Sequence, residues 1–318
     1  MFSVKLNNGL KCPILGLGTW QASDDQSLVE KAIKEAIDAG YRHFDAAWIY
    51  HNEEEVGKAI REKITEGAVK REELFITSKL WNTFHKEEQV VPACKESLKK
   101  LGLDYVDLFL IHWPTAYTYD GDHHYHVVDA NGKSLIENTD YTETWKGMEE
   151  CVKLGLTKSI GVSNFNSQQI DRILSMATIK PVINQVECHL NLNQKKLRIF
   201  CEERGIKLMA HSPLGSPKRP WAQPGDHQVA LEQPIIVKLA KKYKKSPAQI
   251  IIRFMIDNGV IVIPKSSSKN RIIENINVFD FHLTREEINE IEKLDIGARI
   301  CPALQRKDHP DWPFNIEF

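Results

Sequence analysis

Eight short, almost uninterrupted apolar runs recur along the chain, near residues 14–18, 43–47, 75–80, 105–112, 157–163, 182–187, 206–210 and 260–264. Segments with helical periodicity separate them, for example Ser27 to Ala39, Asn52 to Ile64, Lys86 to Leu101 and Asn193 to Arg204. A strand that is apolar in both phases needs cover on both faces, which parallel strands joined by helices provide. Eight such units predict a single (β/α)8 TIM barrel of about 250 residues plus additions. On this reading residues 1–318 form one domain, with 1–13 as an N-terminal hairpin cap and 296–318 as a C-terminal loop. The hairpin is expected from Val4-Lys5-Leu6 and Leu10-Lys11-Cys12 around Asn7-Asn8-Gly9, because both positions of an Asn-Gly turn tolerate positive φ. Asn52 with Glu55 three residues on predicts a capping box for the helix after Tyr50.

Three additions depart from the minimal barrel. Pro114 to Asp140 follows the fourth strand, Gly215 to Gln233 follows the seventh, and Ile296 to Phe318 forms an irregular tail. Loops this long inside a compact domain usually serve function, and here they are placed to wall a substrate pocket.

The formal net charge of −1 supplies no electrostatic reason to bind nucleic acid or an anionic membrane. No stretch approaches the roughly 18 apolar residues of a membrane span, and the N-terminus lacks the apolar core of a secretory signal. The six cysteines are scattered without a C-x-x-C pair, so free thiols and a cytoplasmic location are expected. Asp122-His123-His124-Tyr125-His126 has a metal-like composition but no matching ligand pattern and is taken as a solvated loop. Lys241-Lys242-Tyr243-Lys244-Lys245 is taken as a wet helix end.

Chemistry is expected where ionisable residues end apolar runs. Asp45 closes His43-Phe44-Asp45, with Tyr50 shortly after; Lys79 stands near the end of the third run; His112 ends the fourth. The C-terminal ends of barrel strands are where such folds keep their active sites. A lysine there needs a counter-charge, which Asp45 offers, and an ammonium beside Tyr50 would ease ionisation of the phenol. His112 is placed to orient a substrate oxygen. The alternative is an Asp45–Lys79 ion pair with Tyr50 and His112 as packing.

Asp45-Ala46-Ala47-Trp48-Ile49-Tyr50-His51-Asn52-Glu53, Leu110-Ile111-His112-Trp113-Pro114, Gly161-Val162-Ser163-Asn164-Phe165 and Ile263-Pro264-Lys265-Ser266 occur in that order. Together they resemble the aldo-keto reductase superfamily, close to its aldose reductase-like and xylose reductase-like members. The resemblance implies a catalytic tetrad in which Tyr50 is the acid, Lys79 and Asp45 tune it, and His112 orients the carbonyl. It also implies NADPH-dependent reduction of aldehydes and ketones, by a protein that is commonly a monomer.

No G-x-G-x-x-G is present; Gly16-Leu17-Gly18 alone does not argue for a Rossmann domain. The resemblance places the nicotinamide across the barrel mouth, near Ser163, Asn164 and Gln185, with Gly18 and Thr19 allowing close approach. It makes Ser212, Leu214 and Ser216 part of a pyrophosphate loop. Lys265, Ser266 and Arg271 match positions that grip the adenosine 2′-phosphate, and Glu274 and Asn275 match positions that contact adenine. His211 stands where relatives usually carry tyrosine, sometimes phenylalanine, to stack on the nicotinamide. An imidazole offers less area and titrates nearer neutrality, which leaves cofactor affinity and its pH dependence open to differ.

Trp20, Trp81, Trp113 and Trp221 are expected to line an aromatic substrate cleft, which Trp221 and Trp312 close; Cys301 and Leu304 lie where relatives set specificity. No metal is required. Within the enzyme class, small aldehydes or sugars compete with ketosteroid-type substrates. The rival from another class is a non-enzymatic NADPH-binding barrel, like the lens crystallins and channel subunits of the superfamily.

Overall fold

A computed structural model describes residues 2–20, 25, 27–121, 127–130, 134–217, 219–222 and 230–318. Asp122–His126 lie outside the described residues, as do Pro224 and Gly225 of the seventh-strand loop. Eight parallel strands follow one another in chain order: Leu17–Gly18, His43–Asp45, Phe75–Leu80, Leu108–Ile111, Ile160–Ser163, Ile183–Glu187, Lys207–His211 and Ile261–Val262. The sheet closes on itself where Leu15 bridges Val262 in parallel, with Gly16 N–H donating to Val262 O at 2.8 Å and Val262 N–H to Ile14 O at 2.9 Å. The architecture is therefore a (β/α)8 barrel with an N-terminal hairpin, long loops after the fourth and seventh strands and a C-terminal tail.

Strand pleat explains why the runs read as continuously apolar. Leu108 and Leu110 join Phe75, Ile183, Met209, Ile261 and Ile263 in an inner cluster, whereas Phe109 and Ile111 pack outward with the helices. The hairpin, Ser3–Lys5 paired with Lys11–Pro13, sends Leu6 and Cys12 into the same inner cluster and so plugs one end of the barrel. At the other end the inward phase turns polar. Two-residue steps lead from Phe75 through Thr77 to Lys79, from Leu110 to His112, from Ile183 to Gln185 and from His43 to Asp45. The site is thus the continuation of the barrel interior.

Two local expectations are corrected. The hairpin loop is not a two-residue Asn-Gly turn: Leu6 N–H bonds Leu10 O at 2.8 Å and, of the turn residues, only Gly9 has positive φ, +91°. That is the geometry of a longer loop with a single left-handed position. Asn52 precedes helix Glu53–Thr65 but makes no side-chain cap. Its amide instead donates to Thr19 O at 2.9 Å in a fully buried setting, tying the first-strand loop to the second. A buried amide takes the partner its surroundings leave unsatisfied, and the helix start is reached by three acidic residues instead.

The fourth-strand loop carries a ribbon, Ala116–Tyr117 against Ile136–Glu137, and the tail seats on it. Ala116 N–H donates to His309 Nε2 at 3.1 Å, and Arg306 Nε donates to Tyr117 Oη at 2.8 Å.

Candidate active site

Lys79 is fully buried, and its ammonium has three donors to place. One goes to Asp45 Oδ1 at 2.5 Å, one to Ala46 O at 3.0 Å and one to Tyr50 Oη at 3.2 Å. Tyr50 ends the short 3-10 turn Trp48–Tyr50, and its neighbour His51 has a left-handed φ of 53° that turns the chain back into the next helix. Because the phenol oxygen accepts from Lys79, its own hydrogen must point elsewhere. The ring of His112 stands 5.8 Å from that of Tyr50, edge to face. Asp45 is held on its other oxygen by Gln185 Nε2 at 2.7 Å. The four predicted groups therefore share one pocket base, with Gln185 as a fifth member.

Burial pulls the Lys79 ammonium down, but Asp45 and Tyr50 outweigh it and hold the group above the ordinary lysine value. Burial raises the Tyr50 phenol, and the Lys79 charge opposes that rise without reversing it. This corrects the expectation of a phenol made more acidic than usual: enclosure disfavours phenolate more than the ammonium favours it. Tyr50 therefore keeps its proton at neutral pH. His112 lies well below the usual histidine range, through burial first and then the positive charges of Lys79 and Arg306. It is a neutral imidazole whose Nδ1 is enclosed without a hydrogen-bond partner.

The residues expected to hold a nicotinamide ring this base. Ser163 Oγ donates to Gln185 O at 2.8 Å, and Asn164 Nδ2 donates to the backbone O of His112 at 3.0 Å. That bond orients the Asn164 amide, so its Oδ1 accepts from His211 Nε2 at 3.3 Å. His211 is neutral, pushed down to about 4 by burial despite the Glu187 charge. Thr19 Oγ1 donates to Asp45 O at 2.9 Å, and Gly18, Thr19, Lys265 and Ser266 line one small cleft where the first and last strands meet. A Cβ on Gly18 would stand 3.0 Å from Ile263 O, tighter than nearly all such contacts. Ser212 and Ser216 both have positive φ, and Leu214 packs on the core. Helix Lys269–Ile276 starts at Ser268 with no side-chain cap, beside exposed Lys265 and Arg271. Asn275 is buried, and the Glu274 carboxylate accepts from Ser246 Oγ.

The tryptophans divide. Trp81 and Trp113 are buried in the wall, whereas Trp20 and Trp221 pair at the rim with ring centroids 5.8 Å apart. Trp312 donates to Pro302 O at 3.2 Å within the tail. Cys301 is half-buried, and Leu304 is 64% exposed, away from an enclosed wall.

Two residues bordering this site escaped the sequence reading. Arg306, buried in the tail, lies over the rings of Trp113 (4.3 Å) and Trp81 (5.1 Å). Glu187 ends the sixth strand in the same inward phase as Gln185, a signal that was available.

The sequence profile of the Aldo/keto reductase family matches residues 14–296. The chain belongs to the aldo/keto reductase family. It is 48% identical to the Gallus gallus protein aldo-keto reductase family 1 member A1, over 98% of this chain and 97% of that one. It is 46% identical to aldo-keto reductase family 1 member D1 of Mus musculus, over 99% and 97%. Among solved structures, the aldose reductase of Schistosoma japonicum superposes with a TM-score of 0.92 at 41% identity, covering all of both chains. The Bombyx mori aldo-keto reductase in complex with NADP gives 0.88 at 45% identity over 98% of each. This aldo-keto reductase is an enzyme of the oxidoreductase class.

Proposed function

We propose that Tyr50 is the proton donor in NADPH-dependent reduction of an aldehyde or ketone to an alcohol, with Asp45, Lys79 and His112 completing the catalytic group. The observation that carries this reading is the Lys79 ammonium, whose third donor goes to Tyr50 Oη and leaves the phenolic hydrogen for the cleft. As the Tyr50 proton moves to the substrate oxygen, negative charge develops on a phenol already facing that ammonium. Asp45 keeps Lys79 charged and in place, and Gln185 keeps Asp45 in place. Neutral His112 presents Nε2 to the carbonyl oxygen and fixes its direction.

The cofactor is NADPH, which when bound supplies the hydride. The residues present fit it. Ser163, Asn164 and Gln185 offer the donors and acceptors a carboxamide needs, His211 supplies a flat neutral ring beside them, and Ser212, Leu214 and Ser216 form the turn for the pyrophosphate. The uncapped start of helix Lys269–Ile276, with Lys265, Ser266 and Arg271, suits a phosphate monoester; Glu274 and Asn275 follow for the adenine.

Trp20, Trp81, Trp113 and Trp221, with Cys301 at the tail, make the cleft aromatic above a polar base, which suits aldehydes and ketones with apolar substituents; exposed Leu304 stands outside that wall. No helix among the described residues is long and apolar enough to cross a membrane. The protein acts as a one-domain monomer in the cytoplasm on this reading.

The test is loss of NADPH absorbance with a panel of aldehydes, sugars and ketosteroids. Turnover with any of them supports the reductase and names its substrate class. NADPH binding without turnover on the whole panel would sink it in favour of a non-catalytic barrel.

A further inference from the structure

At the end of the sixth strand, Glu187 is 1% exposed, yet it touches none of the four groups at the pocket base. Both of its carboxylate oxygens are engaged by the tail: Oε1 accepts from Ile300 N–H at 2.6 Å, and Oε2 accepts from Cys301 N–H at 2.8 Å. His189 Nε2 meets Oε1 at 2.8 Å, and Arg299 Nη1 stands 3.9 Å from Oε2. Although burial alone would raise it, these partners hold the Glu187 carboxyl below the usual glutamate value, so it stays charged.

The peptide it grips is held on two further sides. Trp221 Nε1 donates to Ile300 O at 2.8 Å, and Trp312 Nε1 donates to Pro302 O at 3.2 Å. Trp221 in turn packs on Trp20. A continuous chain of contacts thus runs from the sixth strand through Ile300 to the seventh-strand loop and the first-strand loop. An irregular tail has no ladder of its own to satisfy its amides, and burying them without acceptors would be costly. A single charged acceptor at a rigid strand end supplies what the tail lacks.

We propose that Glu187 is a positioning residue that sets substrate specificity: it clasps Ile300 and Cys301 and thereby fixes the Trp221–Trp20 rim against which larger carbonyl compounds bind. It performs no proton transfer. The assignment rests on the reductase reading above. Pre-ordering the rim lowers the cost of binding a substrate that reaches it, and does nothing for one that reaches only the pocket base.

The test compares the full-length wild type with Glu187→Gln, which keeps the shape of the side chain but replaces one acceptor by a donor. For naphthaldehyde, KM is expected to rise about tenfold, the equivalent of one lost charge-assisted bond, with kcat little changed. For propanal, kcat and KM should both stay within about twofold, because that aldehyde makes no contact with the rim. Trp221→Phe should raise the naphthaldehyde KM too, and the double variant should be less than additive because both changes loosen one rim. An equal rise for both aldehydes, or none for either, would overturn the proposal. Hydrogen exchange gives a readout that needs no turnover: the Ile300 and Cys301 amides should exchange at least about tenfold faster in Glu187→Gln while the strand amides hold. Unchanged exchange would refute the clasp even in a fully active enzyme. Faster exchange in a protein that reduces no carbonyl would uphold the clasp and refute the reductase reading alone.

Discussion

Gln185 donates to Asp45 Oδ2 at 2.7 Å across the barrel mouth, from the sixth strand to the second. The carboxylate that holds Lys79 is therefore itself held. Replacing Gln185 by Leu leaves a buried acceptor without its donor, which costs roughly 1–3 kcal/mol. Asp45→Asn strands the buried ammonium and should cost more, about 3–5 kcal/mol. Urea denaturation of the two variants checks the order; equal stabilities would contradict it.

Arg306 bears on His112 through its charge. The guanidinium is locked between Trp81 and Trp113 and helps hold His112 below the usual histidine range. Removing a neighbouring positive charge raises a histidine's pKa. In Arg306→Met the acid limb of kcat/KM should move to higher pH, while Tyr117→Phe, which keeps the charge, should leave it in place. A limb that does not move in Arg306→Met would rule out the coupling.

Acid should unfold the protein earlier than its net charge suggests. Besides His112, burial pushes His43 and His211 down to about 4 and His85 to about 3. Their folded values lie below the unfolded one, so the unfolded chain binds more protons. The stability they contribute is fully present above about pH 6.5 and falls as pH drops toward 4, by up to about 1.4 kcal/mol per pH unit for each histidine. Denaturation midpoints at pH 7, 6 and 5 measure the slope, and His211→Tyr should flatten it. A flat wild-type profile would contradict this.

Cofactor choice is testable at the eighth strand. Lys265→Ala and Arg271→Ala remove cations beside the uncapped helix start. They should weaken NADPH binding by about tenfold or more and leave NADH nearly unchanged, since only NADPH carries the extra phosphate. Equal loss for both cofactors would place the phosphate elsewhere.

How far the sequence speaks follows from periodicity. Lys79 and His112 stood out because each comes at the end of an apolar run, and each sits in phase with an inward apolar residue four positions earlier, Phe75 and Leu108, so the pleat had to turn them inward. Glu187 obeys the same rule after Ile183 and Gln185, but its role needs the tail, more than a hundred residues away in sequence. Arg306 carried no signal, because a tail without period does not say which side chain turns in. Asn52 had the right composition for a cap, yet the first-strand loop offered its amide a buried carbonyl. Local rules located the strands and the pocket base; contacts between distant loops decided the rim.

On the proposed mechanism Tyr50, addressed by Lys79, gives up the proton. The direct measurement is single-turnover reduction by Tyr50→Phe at saturating NADPH, with cofactor binding measured on the same sample. Wild-type NADPH affinity is expected, with a rate lower by at least about 100-fold, the usual weight of a general acid. A Tyr50→Phe enzyme that binds NADPH and turns over near the wild-type rate would contradict it.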